Sequence, residues 1–220
     1  MQTGPEIDDL LGKLRAGDKN ALAELFSIYQ VQLRCMIDLR MDPRLKGRVS
    51  GSDVLQEAYI DAFKRIEHYF EKPEIPFYFW LRMIASQRLI DIHRHHLGAE
   101  MRDVQREIKL DGISSPSASS YSLAAHLVAN VDSPSHAAMK NESMVLLAQA
   151  LAGMDPVDRE VLALRHFEEL SNDEVARILG LKKAAASNRY VRALQRLKEI
   201  LERSPGFSTQ PPDDSQIDAS

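Results

Sequence analysis

The chain has 220 residues, enough for one ordinary domain or two small ones. Hydrophobic residues make up 44% and charged residues 27%, the balance of a globular protein rather than a disordered one. No apolar run of about 18 residues occurs, Met1–Leu14 lacks the apolar core of a secretion signal, and Cys35 is the single cysteine. We therefore expect no membrane span, no internal disulfide and a cytoplasmic location.

The charge is unevenly distributed, although the formal net charge is only −4. Val175–Lys198 holds seven basic residues and no acidic one. A local basic segment in a mildly acidic protein indicates a binding partner of which only one part is a polyanion.

Helical spacing begins near Lys19, where Asp18 is placed to cap a helix. Pro43 and Gly47 end that helix. Its apolar residues recur every three or four positions, at Leu22, Leu25, Phe26, Tyr29 and Leu33.

Two further helices are predicted in the first hundred residues. Asp53 and Gln56 indicate a capping box for a helix that runs to about Phe70. Another follows from Phe77 to about His96, and its apolar residues cover most of its circumference. We expect this helix to be central and buried.

Residues 111–140 are rich in Ser, Pro and Ala and predict a flexible linker with little to bury. Residues 204–220 predict a disordered tail. No strand-like alternation is visible, so the predicted fold class is all-α.

The C-terminal part carries a helix-turn-helix pattern. Asp155 and Pro156 predict one helix start, and Ser171 with Glu174 forms a second capping box. Gly180 supplies a turn before the final helix. One face of that helix is apolar and another is basic, with the residues Tyr190, Leu194, Leu197 and Leu201 against Arg189, Arg192 and Arg196.

This final helix has the features of a DNA-binding element. Its small residues from Ala184 to Ser187 let the backbone approach a groove closely, arginines suit phosphates or guanine, and Asn188 suits adenine. A solvated basic face on an ordinary helical bundle is the alternative. The coincidence of capping box, turn glycine and acid-free stretch favours DNA binding.

Two regions of the chain, each made of two segments, resemble bacterial RNA polymerase sigma factors of the extracytoplasmic-function (ECF) group of the sigma-70 family. The segments ALAGMDPVDREVLALR (150–165) and ELSNDEVARILGL (169–181) resemble region four, and SDVLQEAY (52–59) and FWLRMIASQRLIDIHR (79–94) resemble region two. The resemblance implies a region-two helical domain at 1–110, the linker at 111–140, a region-four helix-turn-helix at 141–203 and the tail at 204–220.

The resemblance also implies three binding surfaces. The surface expected to dock on the polymerase clamp is Asp53, Gln56 and Glu57. The residues expected to contact the minus-ten element are Arg82, Gln87, Arg88, His93 and Arg94. Those expected to contact the minus-thirty-five element are Lys182, Lys183, Ala185, Ser187, Asn188, Arg189, Arg192 and Arg196.

The implied partners are RNA polymerase core, through its clamp and flap elements, promoter DNA and an anti-sigma protein. No cofactor is implied. Gln87 stands where the family often has Asn, and Lys182 where it often has a Ser or Thr cap. Because of these departures, the resemblance does not specify which promoter sequence the protein recognises.

A metal site formed by His93, His95 and His96 is the less favoured interpretation, since a structural zinc site usually needs four ligands. Trp80 and Phe77 suit the core better than stacking on bases. Cys35 suits a small core position.

Three other classes of function are alternatives to a sigma factor. The main alternative is a stand-alone helix-turn-helix regulator, which binds an intact operator without polymerase. A protein-binding helical adapter would tolerate loss of the basic helix. A metal hydrolase would use the histidines, but no phosphate-binding loop, dinucleotide fingerprint or nucleophile elbow supports an enzyme.

Overall fold

The computed structural model describes residues 4–45, 47–71, 75–97, 107–110, 113–129 and 137–203. Helices form most of this part of the chain, so the predicted all-α class is confirmed. One short hairpin was not predicted: β1 (Glu107–Leu110) pairs antiparallel with β2 (Ile113–Pro116). No helix of the described ranges is long and apolar enough to cross a membrane.

The N-terminal helices are α1 (Pro5–Arg15), α2 (Asn20–Arg40), α3 (Gly51–Glu71) and α4 (Phe77–Leu97). Helix α1 was not predicted, and it buries Ile7, Leu10 and Leu14 on one face. Its signal is the three- and four-residue spacing of those side chains.

The start of α3 corrects the predicted capping box. Ser50, not Asp53, caps the helix: the Asp53 carboxylate accepts from the Ser50 amide at 2.8 Å and from its hydroxyl at 2.7 Å. The Asp53 amide donates back to the Ser50 hydroxyl at 3.2 Å. The box therefore lies three residues earlier than expected, and Gln56 has no part in it.

Helix α4 is central, as predicted. Phe77 and Trp80 are 3% and 5% exposed, which supports their expected core role. Their rings lie 5.3 and 5.0 Å from that of Tyr69 on α3.

The C-terminal helices are α6 (Ala137–Ala152), α7 (Pro156–Leu162), α8 (Asn172–Ile178) and α9 (Lys183–Arg203). Asp155 caps α7 by accepting from the amides of Val157 and Asp158, and the Ser171–Glu174 capping box is present. A π-helical turn, Ala163–Phe167, continues α7.

The middle of the predicted linker is ordered, which corrects the expectation that it has little to bury. Helix α5 (Ser120–Ala129) lies there, and the Ser119 amide donates to the Leu39 carbonyl at 2.9 Å. Leu123 and Ala124 are buried in a cluster with Leu151 of α6. Leu123, Ala124 and Leu127, which packs against the same cluster, outweigh the polar composition around them.

The domain division stays a prediction. One hydrophobic cluster joins residues of α1–α4 to residues of α7 and α8, among them Val161 and Val175. Residues 111–112, 130–136 and the tail at 204–220 lie outside the described residues.

Candidate nucleic-acid interface

Helices α8 and α9 form the predicted helix-turn-helix. Gly180 has φ +62° in the turn, a conformation that suits glycine. The Leu181 amide donates to the Ala176 carbonyl at 2.8 Å, and the Asn172 side chain donates to the Lys183 carbonyl at 2.8 Å. These bonds fix the start of α9 against α8.

Helix α9 turns a row of small and apolar residues inward and leaves its start in solvent. Ala186, Ala193 and Leu197 are buried, whereas Leu194, predicted to belong to the apolar face, is 40% exposed. Seven of the eight predicted DNA-contacting residues are exposed: Lys182, Lys183, Ala185, Ser187, Asn188, Arg192 and Arg196.

Arg189, the eighth, is half-buried and held by two acids. Its guanidinium lies 2.9 Å from the carboxylates of both Asp155 and Asp158. Arg196 also lies 3.7 Å from Asp158. Arg192 instead donates to the Asn188 carbonyl at 3.3 Å, within its own helix. The arginines of α9 are therefore not equivalent.

On α4 two of the five residues predicted to contact DNA are buried. Arg82 is buried, with its guanidinium 3.2 Å from Glu168. His93 is also buried, and its Nε2 accepts from the Asp42 amide at 3.2 Å. Neither side chain reaches the surface in this conformation, so neither can contact DNA in it.

The other three predicted α4 residues are accessible. Arg94 is exposed, and Gln87 donates to Asp91 at 3.1 Å. Arg88 is half-buried and ion-pairs with Asp61, and its Nε lies 3.5 Å from Glu57. It thus ties α4 to α3.

The predicted docking residues Asp53, Gln56 and Glu57 are all exposed on α3. Hydrogen bonds from the Ser50 amide and hydroxyl lower the pKa of Asp53, which keeps the carboxylate ionised. Ile60 and Phe63 are 44% and 39% exposed. They follow Gln56 at i+4 and i+7, so they share its face of the helix. This apolar extension of the docking surface was not predicted.

Neither the histidine cluster nor the cysteine forms a reactive site in the described residues. Among these residues no group of three or more His, Cys, Asp or Glu side chains can hold a metal ion. The Cys35 thiol donates to the Phe167 carbonyl at 3.2 Å, and burial raises its pKa to about 12. The thiol therefore stays protonated and inert.

A group of four buried charges lies between the N-terminal and C-terminal helices. Arg40 and Arg82 come from α2 and α4, Glu160 lies on α7, and Glu168 follows the π-helical turn. Arg40 pairs with both glutamates, its Nη1 lying 2.6 Å from Glu168. Arg82 lies 3.2 Å from Glu168 and 4.0 Å from Glu160. We call these four residues the buried charge network.

The comparisons with known proteins agree with this architecture. Residues 144–197 match the family "Sigma-70, region 4", and therefore cover α7, α8 and most of α9. The ECF RNA polymerase sigma-E factor of Haemophilus influenzae is 25% identical over 193 residues, 88% of this chain and 94% of that one. The RNA polymerase sigma-H factor of Pseudomonas aeruginosa is 25% identical over 202 residues, 92% of this chain and 97% of that one.

A solved structure of CnrH in complex with the cytosolic domain of CnrY has a TM-score of 0.53 and 21% identity, and the match covers 90% of this chain and 97% of that one. The helix-turn-helix of α8 and α9 therefore matches region 4 of the sigma-70 class. Over most of its length the chain is similar to extracytoplasmic-function (ECF) and related RNA polymerase sigma factors.

Proposed function

We propose that this protein binds RNA polymerase core, brings it to promoters and directs transcription initiation. The observation that carries the proposal is the exposed start of α9, within a helix-turn-helix that matches sigma-70 region 4. Relatives that align over most of this chain are themselves RNA polymerase sigma factors.

The proposed docking surface for core is the exposed face of α3. It combines the acidic side chains of Asp53 and Glu57 with the apolar side chains of Ile60 and Phe63. An apolar centre with a charged rim is the usual anatomy of a protein interface. By charge and apolar complementarity, this face calls for a basic, partly apolar partner surface on the polymerase clamp.

The proposed promoter contacts lie on α9 and α4. On α9 we assign base or phosphate contacts to Ser187, Asn188 and Arg192, because their side chains are exposed. On α4 we retain Gln87 and Arg94. Arg189 is assigned to positioning instead, since Asp155 and Asp158 already hold its guanidinium.

The remaining assignments follow from this function. Residues 1–110 would act at core and the minus-ten element, and residues 141–203 at the minus-thirty-five element and the polymerase flap, with the protein at work in the cytoplasm. An anti-sigma protein is the proposed regulatory partner. CnrH, which shares the fold, was solved in a complex with a domain of a second protein.

Run-off transcription with purified core on a promoter library tests the proposal. We expect transcripts only when both core and this protein are present. Phe63→Ala should weaken core binding at least fivefold, and Val145→Ala, which trims a 48%-exposed side chain on α6, should not. Binding to intact duplex DNA without any dependence on core would instead indicate a stand-alone regulator.

A further inference from the structure

The arginines of α9 face acidic side chains that the tertiary fold brings close to them. Their row consists of Arg189, Arg192 and Arg196, spaced three and four positions apart and therefore on one side of the helix. An open cleft of about 410 Å³ lies between this row and the start of α7. The acids that line the cleft are Asp155, Asp158 and Glu199. Three positive and three negative charges thus balance, although residues 175–198 contain no acid.

Asp158 is the acid that contacts two of the three arginines. One of its carboxylate oxygens lies 2.9 Å from the Arg189 guanidinium, and the other lies 3.7 Å from that of Arg196. The Asp158 side chain is only 13% exposed, whereas that of Arg196 is 57% exposed. Water and salt screen a covered charge less than an exposed one. Asp158 therefore supplies to these two arginines the anion that a DNA phosphate would otherwise supply.

The ion pair at the start of α9 shows why Asp158 differs from an ordinary surface acid. Lys183 lies 2.9 Å from Asp173 of α8, and both side chains are largely exposed. Such an exposed pair is weak, so a phosphate can displace the carboxylate. Asp158 is mostly covered and holds two partners. Arg192 donates to the Asn188 carbonyl and keeps its full charge on the surface.

The number of free cations determines how a DNA-binding helix treats sequences other than its target. Contacts to phosphates give the same affinity for every sequence, whereas contacts to base edges distinguish one sequence from another. A covered acid that occupies two arginines therefore lowers the affinity for all DNA, and it leaves the base contacts assigned to Ser187 and Asn188 in place. The ratio of specific to non-specific binding rises as a result.

We propose that Asp158 is a specificity-determining residue of the helix-turn-helix. It withholds Arg196 from the DNA backbone and, together with Asp155, withholds Arg189. Duplex DNA of arbitrary sequence is the ligand that Asp158 discriminates against. This role rests on the proposed function, because it requires that α9 contacts promoter DNA.

Fluorescence anisotropy of the full chain with a labelled duplex of random sequence tests this role, in a series from about 50 to 200 mM salt. Asp158→Asn keeps the shape of the side chain and removes its charge. We expect this variant to bind the duplex at least threefold more tightly at the lowest salt concentration. Its salt slope should be steeper by about 0.9, the value for one added phosphate contact, because Asp155 still holds Arg189.

Asp9→Asn is the matched control. It makes the same charge change on α1 and likewise releases a cation, because Asp9 lies 2.7 Å from Lys13. Affinity for the duplex and salt slope should both stay at the parent's values. An equal gain for Asp9→Asn would make net charge the cause and would overturn the role of Asp158.

Arg196→Ala tests the same assignment in a protein that retains Asp158. In the parent chain this substitution should leave the salt slope unchanged, because Asp158 already neutralises Arg196. In the Asp158→Asn chain it should remove the added slope of about 0.9. A shallower slope for Arg196→Ala alone would mean that Arg196 already contacts phosphates, and the proposal would fall whether or not Asp158→Asn folds.

The remaining outcomes separate this proposal from the proposed function. Unchanged affinity and slope for Asp158→Asn, with the circular dichroism of the parent, would overturn the role of Asp158 even where the parent chain supports run-off transcription with core. Absence of core-dependent transcription by the parent, together with the expected gain for Asp158→Asn, would overturn the proposed function. The control of non-specific DNA binding by Asp158 would then still stand.

Discussion

The guanidinium of Arg189 on α9 bridges Asp155 and Asp158 at the start of α7, at 2.9 Å from each carboxylate. Asp155 also caps α7, and hydrogen bonds from the Val157 and Asp158 amides and from Arg189 outweigh its burial and lower its pKa. The bridge therefore fixes the angle between α9 and α7. The arginines of α9 therefore have different roles: Arg189 orients the helix, whereas Arg192 is exposed for contact with DNA.

The first prediction separates these two roles. Arg192→Ala should leave the free energy of unfolding within about 0.5 kcal/mol, as exposed substitutions do. It should weaken promoter binding by reconstituted holoenzyme. A lost phosphate contact lowers the salt slope by about 0.9, and a lost base contact costs about 1–3 kcal/mol at one promoter position.

Arg189→Ala is the matched comparison on the same helix. Its pairs with Asp155 and Asp158 are partly exposed, so we expect a loss of at most about 1 kcal/mol in the free energy of unfolding. Promoter affinity should fall without a change of salt slope. Equal salt slopes for the parent and Arg192→Ala, together with equal affinities, would remove α9 from the DNA interface.

The second prediction concerns the docking face of α3. Glu57→Lys reverses an exposed charge and should weaken core binding at least tenfold, while the free energy of unfolding changes by no more than about 0.5 kcal/mol. The small structural cost comes from the long contact with Arg88, at 3.5 Å.

Glu67→Lys is the control for that variant, because it makes the same charge change at an exposed position further along α3. Core pull-down with all three proteins checks the prediction. A similar loss for Glu67→Lys would mean that net charge, rather than the face around Glu57, determines core affinity.

Local patterns in the sequence account for most of the fold. The helical spacing and caps predicted α2, α3, α4, α8 and α9, because periodicity and capping act between residues a few positions apart. The same kind of signal was present for α1 at Ile7, Leu10 and Leu14, but its short length and acidic residues concealed it.

The environment of Arg82 and His93 could not be predicted in this way. The family resemblance assigns Arg82 to promoter contact, whereas its partner Glu168 is brought close only by the tertiary fold. A basic side chain in a helix gives no local signal that it will be buried. Ile60 and Phe63 are apolar side chains that stay partly exposed. Their spacing from Gln56 identifies the face of α3 on which they lie, but only the tertiary fold determines how much of each side chain remains exposed.

The third prediction concerns the linker. Because Leu123 and Ala124 are buried and Ser119 is bonded to Leu39, chymotrypsin should cut the free protein slowly at Tyr121 and Leu123. Mass spectrometry of the early fragments checks this. Rapid cleavage at Leu123 in the parent protein would mean that α5 is not docked in solution.

The last prediction is the pH dependence of the stability that the Glu168 carboxylate contributes. Burial by itself raises the pKa of Glu168, but the guanidinium groups of Arg40 and Arg82 outweigh it, and the pKa lies below its ordinary value of 4.5. The folded protein therefore binds fewer protons at Glu168 than the unfolded chain does. Its stabilisation by this carboxylate is complete above pH 4.5 and is lost as the pH falls through the lowered pKa.

The measurement is the difference in melting temperature between the parent protein and Glu168→Gln from pH 8 to pH 3. Taking the difference cancels the titration of groups common to both proteins. We expect a constant difference between pH 8 and pH 5, because Glu168 stays ionised in the folded and in the unfolded state across that range. The difference should shrink below pH 4.5 as the unfolded chain takes up a proton. A difference that changes between pH 8 and pH 6 would show that Glu168 titrates near neutrality, and the guanidinium groups of Arg40 and Arg82 would then not be its partners in solution.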